Sequence, residues 1–197
     1  MRFALLLLLS AWPGIALAQD ARLVRRLEPA AALAVQAQLD SAAAEGLPGE
    51  PLVQKALEGR SKGADAGRIV GAVRALRIAL GQARGALGTE ARTAELVAGA
   101  NALRAGVAAR SLIALRRERT GPLNVPLDVM TDLVARGVEP DAASSAVEQL
   151  VRGGRDDGEL IRLREQIDRD IRAGAAPRAA LDRRLAGIPA AGPPKPP

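Results

Sequence analysis

The chain has 197 residues and a net charge of +6, and it contains neither cysteine nor histidine. Disulfides, thiolate nucleophiles, imidazole bases and cysteine or histidine metal sites are therefore excluded, and we predict no cofactor and no metal ion. Alanine supplies roughly a fifth of the residues, and with leucine, arginine, glutamate and glutamine it strongly favours helix. Valine and isoleucine form no strand-like alternating runs, so the sequence predicts a single all-α domain.

The first 18 residues have the pattern of a secretory signal peptide. Arg2 gives a short positive region, the apolar run 3–9 follows, and Ala16 and Ala18 form a small-x-small cleavage site before Gln19. An uncleaved membrane anchor is the alternative, but the apolar run is shorter than the ~20 residues that a spanning helix needs. We therefore predict cleavage after Ala18, export to the periplasm or the medium, and a mature chain without a transmembrane helix.

Cleavage would change the composition of the chain, because Phe3 and Trp12 are its only aromatic residues. The mature chain would have 27 basic and 22 acidic residues, a net charge of +5 (27 − 22). Its arginines are dispersed among acids and no aromatic ring remains to stack on bases, so we do not predict nucleic acid as a partner. Water-exposed charge is the favoured interpretation, with weak attraction to anionic lipids or acidic polymers as the alternative.

The mature chain divides into three parts. Residues 19–28 are a basic lead-in, residues 29–186 are predicted to be an all-helical hairpin domain, and residues 187–197 are a proline-rich segment typical of a disordered tail. The tail is interpreted as a solvated terminus, and a recognition segment remains the alternative.

Apolar residues recur at helical spacing in two long segments. Residues 67–88 and residues 158–174 each place a stripe on one helix face, and in the second segment either Leu163 or Arg164 continues the stripe. Glu165 with Arg169 and Asp168 with Arg172 are four residues apart, which favours ion pairs along that helix. The stripes are Ile69, Val73, Leu76, Leu80, Ala83 and Leu87, and then Leu160, Ile167 and Ile171.

A glycine recurs at the predicted joints between helices. In the stretch VARGVEPDAASSAV, Gly137 ends one helix in a left-handed conformation, Val138 packs into the hairpin, and Pro140 starts the next helix. Because the same pattern recurs at other joints, it favours a helix corner over a binding loop. The same form, with Pro48 and Pro177 as further helix starts and Asp65 and Glu139 near helix N-termini, recurs at Gly46, Gly63, Gly106, Gly137 and Gly174.

Several neighbouring glycines, including Gly88 and Gly121, are 15 to 18 residues apart, which predicts short antiparallel helical hairpins. A solenoid-like array and an irregular bundle both fit this spacing. The period equals that of tetratricopeptide repeats in length, but the aromatic signature of those repeats is absent, so the chain is not assigned to them. The pairs Gly67 with Gly71 and Gly81 with Gly85 predict close internal helix packing, and a homodimer seam is the alternative.

Carboxylates offer the remaining route to acid-base chemistry. A glycosidase-like pair is conceivable, but it lacks the aromatic platforms on which sugars stack, and capping explains Asp156 and Asp157. Asp128 and Asp132 on one helix face could bind a divalent cation, although a solvated face is favoured. The candidate acids are Glu58, Asp128, Asp132, Glu139, Asp141, Asp156 and Asp157.

The strongest candidate binding residues are arginines, whose guanidinium groups bind carboxylates and phosphates in pairs of hydrogen bonds. They predict an acidic partner surface, with water-facing charge as the alternative. The first functional hypothesis is a non-catalytic exported protein that binds or scaffolds proteins in the cell envelope. The second is an electrostatic binder of anionic membrane or polymer, using also Arg22, Arg25 and Arg26, and the third is a carboxylate hydrolase. The candidate binding residues are Arg74, Arg77, Arg84, Arg116 and Arg117.

Overall fold

A computed structural model describes residues 20–188, and this range contains helices and turns but no strand, as the composition predicts. The predicted signal peptide and residues 189–197 of the predicted tail lie outside the described range. The lead-in contributes a short first helix, and the second helix begins at Pro29. The helices of the described range are α1 (Ala21–Arg26), α2 (Pro29–Ala44), α3 (Glu50–Ser61), α4 (Ala66–Leu87), α5 (Thr93–Arg104), α6 (Ala109–Glu118), α7 (Asn124–Ala135), α8 (Pro140–Arg152), α9 (Asp157–Arg172) and α10 (Pro177–Ala186).

The helices pack mainly against their neighbours in the chain. In one series, α2 packs against α4, α4 against α6 and α6 against α8. In the other series, α5 packs against α7 and α7 against α9. The two series are joined most closely where α4 meets α5 and where α7 meets α8. Every extensive contact between described helices links elements one or two places apart in the sequence.

One aliphatic core runs through the array. All six residues of the α4 stripe are buried, and in α9 Leu160, Leu163 and Ile167 are buried while Ile171 is half-buried. Leu163 rather than Arg164 therefore continues that stripe. Helix α5 approaches α4 closely because its Gly99 lacks a side chain. A Cβ at position 99 would lie 3.1 Å from the Cβ of Ala83 on α4.

The five corner glycines all have positive φ, which favours glycine because a Cβ would clash with the backbone. At Gly137 the Val138 N–H donates to the Leu133 carbonyl at 3.1 Å, which closes the helix end, and Val138 is buried. The stretch 134–147 is thus a helix corner, with Pro140 in the first turn of α8. Gly88 and Gly154 also have positive φ.

Gly121 lies in the α6–α7 connection, as its spacing predicts, but it does not have positive φ, so this corner is built differently from the five glycine corners. Pro48 lies just before α3, and Pro51 lies in the first turn of that helix. The prediction for the glycine pairs of α4 needs correction. Gly71 and Gly85 face open space instead of packing against another helix, because the buried stripe of α4 lies on a different side.

Carboxylate caps fix several helix starts. Asp65 accepts a hydrogen bond from the Arg68 N–H at 2.8 Å, whereas Glu139 makes no side-chain cap. Asp156 accepts from the Glu159 N–H at 2.8 Å and Glu159 accepts in return from the Asp156 N–H at 3.1 Å. This reciprocal capping box starts α9 and accounts for Asp156 as predicted.

Candidate functional site

Arg74, Arg77 and Arg84 share one face of α4, here called the arginine stripe, but they differ in their contacts. Arg77 donates to the Gln38 side chain at 3.1 Å and forms an ion pair with Glu45, and Arg84 donates to the Gly46 carbonyl. These contacts attach α4 to the end of α2. Arg74 is exposed and forms no hydrogen bond or ion pair with any described residue. Most of the stripe therefore stabilises the fold, and Arg74 alone projects to the surface.

The other two predicted arginines also differ from each other. Arg116 forms an ion pair with Glu95 and donates to the Gly121 carbonyl at 3.3 Å, whereas the neighbouring Arg117 is exposed. The five arginines consequently do not form one binding surface.

Sequence reasoning missed Glu95, which is the buried acid beneath the α6–α7 corner. Its carboxylate accepts hydrogen bonds from the Arg92 N–H at 2.9 Å, from the Leu123 N–H at 3.0 Å and from the Arg116 guanidinium. Burial alone would raise the pKa of Glu95, but these three hydrogen bonds to the ionised form outweigh it and lower the pKa. The available signal was a single acid in an otherwise apolar helical stretch.

Ion pairs tie successive helices of each series together. Arg110 on α6 pairs with Asp141 on α8 at 2.8 Å, and Arg164 on α9 pairs with Asp132 on α7 at 3.0 Å. The partners are 31 and 32 residues apart, about one helix pair. On α9 itself, Arg172 contacts Asp168 at 2.6 Å as predicted, while Glu165 approaches Arg164 rather than Arg169.

The candidate acids do not converge on a shared centre. Glu58 pairs with Lys55 and Lys62, which lowers its pKa to about 2. Desolvation and then the charge of Asp132 raise the pKa of Asp128. No group of three or more potential metal-ligating side chains occurs within residues 20–188. The other candidates have separate roles or positions: Asp141 pairs with Arg110, Asp157 with Arg119, Asp156 caps α9, and Glu139 precedes α8.

A basic cleft formed by α8, α9 and α10 lies at the carboxyl-terminal end of the described array and is a candidate site. Its volume is about 330 Å³. Buried Leu150 and Leu163 contribute apolar surface, and Gln166 adds a side-chain amide. No local sequence pattern predicts this site, because its residues come from three segments that only the packing of α10 on α9 brings together. The cleft arginines are Arg155, Arg162, Arg183 and Arg184.

Two of the cleft arginines are held by acids. Arg155 donates to Glu159 at 2.9 Å, and Arg184 binds Asp170 through two hydrogen bonds at 2.7 and 2.6 Å. The Arg184 guanidinium lowers the pKa of Asp170, so this pair stays ionised at neutral pH. The remaining two, Arg162 and Arg183, are exposed and make no hydrogen bond or ion pair with the described part of the chain.

These features define an all-helical protein of stacked short helices with a basic cleft at one end. Comparison with known families, curated proteins and solved structures found no match to the chain. Between residues 20 and 188, no helix is both long enough and apolar enough to cross a membrane.

Proposed function

We propose that the chain is an exported, non-catalytic protein whose helices form an open, solenoid-like array that binds another protein in the cell envelope. The contact pattern carries this proposal, because extensive contacts confined to near neighbours in the chain are typical of repeat arrays, which use extended surfaces for binding. A closed bundle would also bring the first helices against the last ones.

The surface formed by α6, α8 and α10 supports this proposal. One groove lies between α6 and α8, and another lies between α8 and α10. Ser145 lines both grooves and is exposed, and Asp141 lies between them. Adjacent grooves of this kind suit a partner that lies across several helices.

A photo-crosslinking amino acid at position 145 tests the proposal in intact cells. We expect a cross-linked product of one discrete mass that persists through high-salt capture. The matched control is position 165 on α9, where the Glu165 side chain is 58% exposed but belongs to the other helix series. Equal cross-linking at both positions, or none at position 145, would contradict a binding surface at the grooves.

Export has an optical test. Since Trp12 is the only tryptophan and lies in the predicted signal peptide, the mature protein should show essentially no absorbance at 280 nm, and its mass should correspond to a chain that begins at Gln19. A tryptophan signal in protein recovered from the periplasm or the medium would show that this segment is retained.

Electrostatic attachment to anionic membrane or polymer is the second candidate, favoured by exposed arginines such as Arg25, Arg74 and Arg117 that have no carboxylate partner among residues 20–188. Arg22 contributes less, because it pairs with Asp20 and Glu50. Sedimentation with phosphatidylglycerol vesicles that is lost at high salt, and absent with phosphatidylcholine vesicles, would support this candidate. Salt-resistant protein capture without vesicle binding would support the first.

A further inference from the structure

We propose that the basic cleft of α8, α9 and α10 is a binding site for one small ligand that carries a phosphate group on a short apolar stem. This inference goes beyond the proposed protein partner and does not depend on it, since the cleft is separate from the α6–α8 groove in its lining residues.

The cleft has the size and lining of a small-molecule site. Its volume of about 330 Å³ is at the low end of the ~300–1,000 Å³ that is usual for ligand pockets. Leu150 and Leu163 are 5% and 4% exposed and so form fixed apolar surface, and Ile188 adds a further apolar side chain to the lining. An apolar wall beside several convergent polar groups is the arrangement expected of a specific ligand site.

The residues that line the cleft carry a net positive charge, which favours an anionic ligand. Four arginines and one glutamate give the lining residues a net charge of +3 (4 − 1). Asp170 lies outside the cleft but pairs with Arg184, and including its charge lowers the net charge of the cleft to +2 (3 − 1). Arg162 and Arg183 carry this excess, and both have all their guanidinium N–H donors free of other described residues.

The Arg162 guanidinium lies beside a glycine in the first turn of α9. A Cβ on Gly158 would lie 3.3 Å from the Arg162 Nη1, so the absence of a side chain leaves room for the guanidinium there. The start of α9 also carries the acids Asp156, Asp157 and Glu159, and Asp156 and Glu159 cap the helix, so the attraction for an anion at this edge comes from the Arg162 guanidinium and not from the helix terminus. Gln166, one helical turn further on, supplies an additional donor on the same face.

Phosphate fits this donor set better than carboxylate. Arg162 and Arg183 approach from different helices, so a ligand that satisfies both needs several acceptor oxygens pointing in different directions. A phosphate ester offers three such oxygens and up to two negative charges, which match the uncompensated charge of the cleft. Free phosphate esters and phospholipid headgroups share this chemistry.

Isothermal titration of the mature chain in phosphate-free buffer tests the site with defined probes. We expect n-butyl phosphate to bind saturably at one site per chain, several-fold more tightly than inorganic phosphate, because its stem covers the leucine wall. Butan-1-ol should not bind measurably. Butanoate that binds more tightly than n-butyl phosphate would overturn the assignment of phosphate.

Charge-matched variants separate a built site from general attraction. Arg162→Gln and Arg183→Gln should each weaken n-butyl phosphate binding about five- to tenfold, as expected for loss of one charge-assisted contact in a partly exposed site. Arg169→Gln removes the same charge from an exposed arginine on α9 that lies outside the cleft, and it should leave the affinity within about twofold. An equal loss in all three variants, or no saturable binding by the unmodified chain, would overturn the proposal.

Sedimentation with phosphatidylglycerol vesicles then identifies the source of the phosphate. If lipid headgroups occupy the cleft, vesicle binding should fall in Arg162→Gln but not in Arg169→Gln. Vesicle binding unchanged in both, together with tight n-butyl phosphate binding, assigns the cleft to a free ester. These outcomes are independent of cross-linking at position 145, so failure of one proposal is distinguishable from failure of the other.

Discussion

The α7–α8 and α6–α7 corners are neighbours in the chain, but different interactions close them. At α7–α8 the chain turns through the backbone itself: Gly137 has φ of 89° and the next N–H returns to the Leu133 carbonyl. At α6–α7 no residue has positive φ, and the turn is held by side chains, since Glu95 accepts the Leu123 N–H and Arg116 donates to the Gly121 carbonyl. The α7–α8 corner is therefore closed by contacts between residues close together in the chain, whereas the α6–α7 corner depends on a residue of α5.

This difference affects how each corner responds to change. A glycine corner keeps its hydrogen bonds whatever the charge of its surroundings. The α6–α7 corner uses a carboxylate 28 residues upstream of Leu123, so it requires α5 to be in place and Glu95 to be ionised. It should therefore be sensitive both to one distant substitution and to pH.

Replacement of Glu95 is expected to have the largest effect on stability. Glu95→Ala leaves the buried Leu123 N–H and the Arg92 N–H without an acceptor, and it removes the ion-pair partner of Arg116. We expect a loss of about 3 kcal/mol in the free energy of unfolding, measured by urea titration followed by circular dichroism. Amide hydrogen exchange should accelerate first at residues 119–123.

The matched control is Glu90→Ala, because Glu90 is an exposed acid near the same corner that has no hydrogen bond or ion pair within the described range. Its effect should stay within about 0.5 kcal/mol. If both alanine variants are equally stable, the side-chain account of the α6–α7 corner is wrong.

The pH dependence of the same corner is a second, smaller effect. Because the folded-state pKa of Glu95 lies below its ordinary value of 4.5, the ionised group stabilises the fold fully above about pH 4.5, and this contribution is lost as the pH falls through the folded-state pKa. Glu95→Gln should cost about 1–2 kcal/mol at pH 7, and the difference from the wild type should shrink below pH 4.5. Urea titrations at pH 7 and at several acidic pH values measure it. A constant difference would contradict this assignment.

Paired glycine substitutions compare the two corners directly. Gly137→Ala forces a Cβ into a left-handed backbone and 3.3 Å from the Pro177 Cγ, so it should cost about 1–2 kcal/mol. Gly121→Ala has no such backbone conflict, and its Cβ would meet only the flexible Arg119 side chain at 3.5 Å. This variant should be neutral or up to about 1 kcal/mol more stable by thermal unfolding, since alanine restricts the unfolded chain. Equal destabilisation would remove the distinction.

The sequence predicted what depends on local patterns. Helical spacing located the buried stripe of α4, and glycine followed by a small or apolar residue located corners such as Gly106 and Gly174, because both signals come from neighbouring residues. Gly121 looked the same by spacing but has a different role, since its corner depends on Glu95 and Arg116 and no local pattern reports that contact.

The candidate sites show the same limit. The arginine stripe was visible from spacing, but the ion pair of Arg77 with Glu45 and the Arg84 contact with Gly46 depend on how α4 packs against α2. The basic cleft was not visible, because Arg162 and Arg183 become neighbours of one cavity only when α10 packs against α9. Periodicity in the sequence predicts which residues share a helix face, but the packing of the helices determines which faces are in contact.

The exposed ion pair between Arg110 and Asp141 is expected to stabilise the fold least. Arg110 and Asp141 join α6 to α8 much as Arg116 and Glu95 join α6 to α5, but their side chains are 74% and 79% exposed. Water solvates both charges and salt screens them, so a double-mutant cycle with Arg110→Ala and Asp141→Ala should give a coupling energy below about 0.5 kcal/mol, falling further in high salt. A coupling as large as the Glu95→Ala effect would mean that burial does not distinguish the two contacts. A small coupling beside a large Glu95→Ala effect would show that the contacts of Glu95, which satisfy the buried Leu123 N–H, stabilise the array more than this exposed pair does.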